Sequence, residues 1–220
     1  MCNYRKPISF YIKIVILTII ICLGWCQIIP AQAKHGIGRL QEGFIPTMPT
    51  QGALEILEKL TPREKIGQLM VVSFNGVDVS PTSQIYQLIA QGHIGGVMLS
   101  AANDNFTQEN TIFSAWSLIK SLQEIEEEGS HKEVEDDQGN LYQPTYIPLF
   151  VGIIQEGDGA PYDQILSGLT PQPNQMALGA TWDPKMAEKT GTVVGQELSA
   201  LGFNMLFGPS LDILENPNPE

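Results

Sequence analysis

The sequence predicts an α/β fold in which parallel strands alternate with helices. Three observations carry this prediction. Short apolar runs at 68–74, 94–100, 147–154 and 203–207 read as strands buried in a sheet. Helical patterns separate them, with crossovers long enough for parallel pairing. Polar, glycine-rich segments follow the strand ends, where α/β proteins bind ligands.

Residues 1–33 form a separate object. Arg5 and Lys6 make a basic start, and Ile8 to Leu23 is apolar but for Ser9, Lys13 and Thr18. Ala31, Gln32 and Ala33 supply a small-x-small cleavage pattern, so a secretory signal is expected, with export to the periplasm or the exterior. An uncleaved membrane anchor is the alternative, since the apolar stretch is long enough to span a bilayer. Any membrane contact is expected through this segment alone. Cys2, Cys22 and Cys26 all lie within it, so the rest of the chain offers no disulfide and no thiol nucleophile.

The 220 residues are 43% hydrophobic with a mean hydropathy near zero, as in a folded domain. The formal net charge of −12 excludes a nucleic-acid binder, which needs a basic footprint.

Residues 34–51 read as a linker, and 52–60 as a short amphipathic helix. Thr61, Pro62 and Glu64 have the spacing of a capping box with proline at the first helical position. The helix they start runs into the strand at 68–74. Pro81 to Gln91 reads as a helix with Ile85, Leu88 and Ile89 on one face and Gly92 as its cap. After the strand at 94–100, Thr111 to Glu127 reads as a crossover helix with Ile112, Phe113, Trp116, Ile119, Leu122 and Ile125 as its apolar stripe. Residues 128–146 are charge-dense and aperiodic and read as a solvated acidic insertion loop. No calcium-loop frame is present in them.

The strand at 147–154 is the organising stretch, because it runs directly into Gln155, Glu156, Gly157, Asp158 and Gly159. Residues 160–176 read as a proline-punctuated loop. Asp183 and Pro184 cap a long helix, 185–200, closed by Gly202. A last strand, 203–207, leads to Asp212. No glycine-rich dinucleotide fingerprint and no P-loop lysine motif appears.

Several segments carry a resemblance in the right order. They are 60–69 (LTPREKIGQL), 95–99 (GGVML) with Asn103, 148–153 (PLFVGI), 155–157 (QEG), 174–181 (NQMALGAT), 195–204 (GQELSALGFN) and 208–212 (GPSLD). Together they resemble the N-terminal (β/α)8 barrel of glycoside hydrolase family 3. The resemblance covers roughly 60–220, interrupted by the acidic insertion, and implies a TIM-type barrel of which about four βα units are present. It further implies hydrolysis of O-glycosyl bonds by a retaining mechanism, as a β-glucosidase or β-N-acetylglucosaminidase. The substrate expected is a β-linked glucoside or N-acetylglucosaminide, with no metal or organic cofactor.

The chemistry of such an enzyme needs a carboxylate nucleophile and an acid. The resemblance places the nucleophilic aspartate and the histidine-bearing segment after later strands, so the catalytic residues are expected beyond residue 220. The chain is then an inactive N-terminal fragment of an exported parent. His35, His93 and His131 do not replace the missing segment. Within the covered part, Ile154 stands where the family usually has a sugar-binding Asp, Ala102 where it has Arg, and Asp158 where it has Gly.

Asp212, Glu156 and Asp158 are the candidate substrate-binding residues, because acids at strand C-termini line the mouth of a barrel. Each has a plain structural reading as a cap or a solvent-facing loop acid. Trp182 can stack on a sugar, but its place at a helix start favours packing. Asn103 reads as a turn residue. Two other readings stay open: a non-catalytic sugar-binding or partner-completed half barrel, and an unrelated doubly wound domain.

Overall fold

Helix starts are fixed locally by side chains that satisfy exposed backbone N–H groups. Thr61 Oγ1 accepts from Glu64 N at 3.3 Å, and Glu64 Oε2 accepts from Thr61 N at 2.7 Å, closing the expected capping box. A computed structural model describes residues 49–106, 109–136 and 138–211, and the expected signal or anchor segment and most of the linker lie outside them. Met1–Pro49 and Thr50–Glu220 are separate units, and the second holds every element below.

That unit runs α1 (Gln51–Lys59), α2 (Pro62–Gly67), β1 (Val71–Ser73), α3 (Gln84–Ala90), β2 (Gly96–Met98) and α4 (Thr111–Ser130). It continues with β3 (Val134–Glu135), β4 (Leu141–Tyr142), β5 (Phe150–Ile153), α5 (Gln175–Ala180), α6 (Pro184–Leu201) and β6 (Met205–Leu206). The main sheet has the order β1-β2-β5-β6, and every pair in it is parallel. All four expected strands form, each shorter than its apolar run.

Register explains which face is buried. Val97 pairs with Val151, and both are fully buried with Ile153 on the same face. Ile85 and Ile89 of α3, Leu118, Ile119 and Leu122 of α4, and Leu198 and Leu201 of α6 pack with them in one core. Burying a side chain of this size stabilises by about 1.5–3 kcal/mol, so this face holds the unit together. Phe150, on the other face, is 54% exposed. A doubly wound domain has helices on both faces of its sheet and a reversal in strand order. Sequential order with the crossover helices sharing one face is the barrel arrangement, so the doubly wound alternative is discarded.

Four expectations are corrected. The buried stripe of α4 is Ala115, Leu118, Ile119, Leu122 and Ile125, while Phe113 is 66% and Trp116 41% exposed. Those two aromatics pair on the outer side at 5.7 Å, with Lys120 Nζ 5.6 Å from the Trp116 ring. The cap expected at Gly92 is Gln91, whose N–H donates to Gln87 O, and the left-handed residue that follows is His93 at φ 53. Gly92 has a steric role instead, since a Cβ there would meet Leu88 O at 2.6 Å. The expected insertion loop contains the antiparallel β3–β4 hairpin, whose turn is held by Asp136 Oδ1 accepting from Gln138 N and Asn140 N at 2.8 Å each. The expected loop at 160–176 ends in α5, capped by Asn174.

Candidate functional site

The site forms where β5 leaves the sheet. Beyond Ile153 the chain leaves the sheet; Gln155 makes an isolated bridge with Asp163 and Asp158 N donates to Gln172 O at 3.1 Å, and side chains supply further partners for its polar groups. Asp163 does most of this. Its Oδ1 accepts from Glu156 N at 3.0 Å and Gly157 N at 2.7 Å, and its Oδ2 accepts from Gly159 N at 2.9 Å. Hydrogen bonds to an ionised acceptor are about twice as strong as neutral ones, so one carboxylate folds the strand end around itself.

Gln155 closes the other side of the loop. Its Oε1 accepts from Gln164 N and Ile165 N at 3.1 Å each, and its Nε2 donates to Ile165 O at 3.0 Å. Gly157 sits at φ 94, and a Cβ on it would lie 2.7 Å from Pro173 O. Only glycine fits both constraints.

Glu156 and Asp158 are thereby presented side by side. Glu156 is half-buried and held from the α5 side, where Gln175 Nε2 donates to its carbonyl at 2.9 Å. The chain after β6 approaches closely, since a Cβ on Gly208 would lie 3.0 Å from Glu156 Oε1. Asp158 is exposed at φ 73, and its Oδ2 accepts from Asn174 Nδ2 at 3.0 Å. Asn174 Oδ1 in turn accepts from Ala177 N at 2.7 Å, so the cap of α5 also orients the acid.

An open cavity of about 1100 Å³ lies at these C-terminal strand ends, lined by Glu156, Asp158, Tyr162, Trp182 and Leu211 among others. Small-molecule sites commonly measure about 300–1,000 Å³ and combine apolar walls with a few polar groups. Here Glu156 and Asp158 share the lining with Tyr162 and Trp182, a combination suited to a ligand with hydroxyls on its edge and C–H bonds on its faces. A second cavity, of about 550 Å³ beside Phe113 and Trp116, is lined by no carboxylate.

Two buried groups with displaced proton affinities, Glu126 and His93, lie before the N-terminal ends of β5 and β2, away from the cavity. Burial raises Glu126 to about 7, with Glu64 adding to the shift and the Ile147 N–H opposing it. Burial likewise lowers the His93 imidazole. Among the described residues, no group of three His, Cys, Asp or Glu gathers where a metal ion would sit.

The model of the glycosyl hydrolase family 3 N-terminal domain matches residues 61–220. The chain belongs to glycoside hydrolase family 3. A solved family 3 β-N-acetylglucosaminidase from Paenibacillus is 33% identical, with a TM-score of 0.58, covering 72% of this chain and 26% of its own. Beta-hexosaminidase A of Pseudoalteromonas piscicida is 28% identical over 72% of this chain and 26% of its own length. The periplasmic beta-glucosidase of Salmonella typhimurium is 23% identical over 86% of this chain and 20% of its own. The chain thus spans about a quarter or less of these relatives.

Within this family framework the described residues sort plainly. Glu156 and Asp158 come together at the cavity, whereas Asp212 lies outside the described residues, directly after cavity-lining Leu211. Ile154 is at the strand end and 37% exposed, so no neighbouring side chain covers it fully. Ala102 and Asn103 form a 3-10 turn, as expected of Asn103. The buried amide is Asn105 instead. Its Nδ2 donates to Phe74 O and Gly76 O, and its Oδ1 accepts from Ser100 N, tying the ends of β1 and β2 together.

Trp182 does not pack as expected and is 93% exposed. Sequence reasoning also missed Asp163, Gln155 and Asn174 as the residues that shape the site. The available signal was an acid within a few residues of the Gly-Asp-Gly turn, and an Asn immediately before an apolar helical stretch.

Proposed function

We propose that this chain supplies the N-terminal, sugar-binding part of the barrel of an exported β-glycosidase that cleaves β-linked N-acetylglucosaminides. The observation that carries this is the cavity at the ends of β5 and β6, lined by Glu156 and Asp158 together with Tyr162 and Trp182 within a family 3 framework. Glu156 and Asp158 accept hydrogen bonds from sugar hydroxyls, and Asp212 joins them from the segment after β6. The relatives named for N-acetylglucosamine chemistry, at 33% and 28% identity, exceed the glucosidase at 23%, which favours that sugar. The leader pattern of residues 1–33 supports export.

In a retaining mechanism a carboxylate attacks the anomeric carbon while an acid protonates the leaving oxygen. Neither role falls to a described residue in this reading. The chain binds sugar and turns over none by itself. The test is the purified 220-residue chain with an aryl β-N-acetylglucosaminide and with N-acetylglucosamine. Measurable binding of the sugar without release of the aryl group is expected, and binding should weaken on Glu156→Gln. Turnover of the aryl glycoside would overturn the inactivity, and absence of any saccharide binding would overturn the assigned site.

A further inference from the structure

We infer that the acidic insertion is held by a proton-operated clasp. Glu64, Glu126 and Gln123 seat the returning segment 145–149, and the Glu64–Glu126 end of that seat releases the β3–β4 hairpin when both carboxyls are charged. The clasp precedes β5, none of its three residues lines the cavity beyond β5, and it does not rest on the sugar-binding reading.

Geometry gives the first reason. Between β4 and β5 the chain runs through residues 143–149 outside any strand. Side chains of α2 and α4 take its N–H groups at every second residue. Thr145 N donates to Glu64 Oε1 at 3.0 Å, Ile147 N to the Glu126 carboxyl, and Leu149 N to Gln123 Oε1 at 3.1 Å. Gln123 Nε2 also donates to Leu149 O at 2.9 Å, so the last contact is doubly tied. A period of two is that of extended chain, and the two helices do for this segment what a neighbouring strand would do.

The second reason is that two of the three seating side chains are buried acids. Glu64 is 2% and Glu126 4% exposed. Glu64 is well supplied with donors, since its Oε2 also accepts from Thr61 N and Thr61 Oγ1 at 2.7 Å each. Around Glu126 the Ile147 N–H favours the charged form, whereas burial and the charge of Glu64 oppose it. Ionising a buried carboxyl against a like charge is costly, so the closed clasp keeps a proton on Glu126.

The third reason is that the neighbouring groups do not relieve this charge. Tyr146, on the returning segment, is raised above 10 by burial, Glu127 and Glu126, so it stays a neutral phenol. His93, after α3, is lowered below 6.5 by burial, with Arg63 adding to the shift and Glu64 opposing it, so the imidazole is neutral before Glu126 ionises. Once Glu126 does ionise, moving the segment outward rehydrates two buried carboxylates. Val134, Glu135 and Tyr142 of the hairpin already border an open cavity of about 390 Å³ with Arg63 and His93, which gives the hairpin room to lift. Gln123 does not titrate, so the opening stops at Leu149 and β5 stays in the sheet.

The experiment is backbone hydrogen exchange of the 220-residue chain at about pH 6 and about pH 8, read as protection factors corrected for the intrinsic exchange rate. The Glu126 carboxyl stands at about 7 when the clasp is closed and returns toward 4.5 when it opens, so opening grows as pH rises toward 7 and then levels off. Protection of residues 141–147 should therefore fall about tenfold between the two conditions. At the higher pH it should also lie at least about tenfold below that of 115–122 in α4 and 150–153 in β5, because the clasp opens without the core. In Glu126→Gln, which cannot ionise, the fall at 141–147 should be absent. His93 is common to both proteins, so their difference reads Glu126. A fall that persists in Glu126→Gln would overturn the clasp. So would protection of 141–147 equal to that of the α4 and β5 segments, which would mean that the hairpin is released only when the whole unit unfolds. Unchanged protection of 141–147 in the parent overturns it too, and needs no variant.

Discussion

The carboxylate of Asp163 accepts the backbone N–H of Gly157 at 2.7 Å, reaching back across six positions of chain. The same side chain takes the N–H groups of Glu156 and Gly159. The two acids that face the cavity are therefore placed by a third acid that does not line it. Asp163→Ala removes the partner of Gly157 N and Gly159 N and leaves Glu156 N with only its long bond to Tyr162 O at 3.4 Å. A hydrogen bond to a charged group contributes about 1.5–3 kcal/mol, and the three are not additive. The expected loss is about 2–4 kcal/mol in urea unfolding, with saccharide binding lost as well. A variant of unchanged stability and affinity would remove Asp163 from this role.

Gly157→Ala tests the same loop from the backbone side. Its φ of 94 and the 2.7 Å approach to Pro173 O leave no room for a methyl group. Ala is both strained and clashing there, so a destabilisation of about 1–3 kcal/mol is expected. Gly159→Ala is the control, because its φ of 75 is also left-handed but no atom lies within 4 Å of its Cβ position. Gly157→Ala should cost more than Gly159→Ala in the same unfolding assay, and equal costs would show that backbone strain alone acts at both.

Ile154→Asp restores the carboxylate that the family usually carries before Gln-Glu-Gly. Ile154 is 37% exposed, so the substitution removes no fully buried side chain. A charged hydrogen bond to a sugar hydroxyl is worth about 1.5–3 kcal/mol, at least about tenfold in affinity. Calorimetry with N-acetylglucosamine should show that gain. No gain would mean that Glu156 or Asp158 already fills the position.

The sequence revealed most where one local rule decides. The capping box at Thr61 and Glu64 and the Asp183–Pro184 start of α6 formed as expected, because each rests on residues within four positions. The strands were legible because a run such as Leu149 to Ile153 is too apolar to leave the sheet. The stripe of α4 was misread because Phe113 and Trp116 are apolar at helical spacing, yet periodicity does not say which side faces the sheet. The α5 segment was missed because six residues are too few for a periodic signal.

At the site, the acids Glu156 and Asp158 were visible from their position after β5. Their supports were not. Asp163 and Asn174 act across 4 to 7 and 16 positions, through contacts that exist only once the loop has closed. The exposure of Trp182 was equally illegible, since burial is a property of the assembled surface and not of the sequence beside it.

The buried carboxyl of Glu126 gives the fold a pH dependence whose sign can be worked out. Its native pKa stands at about 7 against an ordinary value of 4.5, raised by burial and by Glu64 and opposed by the Ile147 N–H. Between those values the native state keeps a proton that the unfolded chain has released, so this group makes stability fall as pH rises from about 4.5 to 7. His93 acts in the opposite sense. Burial lowers its pKa below 6.5, so the unfolded chain binds the proton first and stability rises with pH through that window. Glutamine mimics the protonated form of Glu126 and removes only the falling contribution. Glu126→Gln should equal the parent near pH 4.5 and exceed it by on the order of 2 kcal/mol at pH 8. Urea unfolding at intervals from pH 4.5 to 8 measures both. The parent's stability should fall across neutrality relative to the variant, while the variant retains the rise due to His93. Parallel curves at all pH values would show that Glu126 titrates at the same pH in both states.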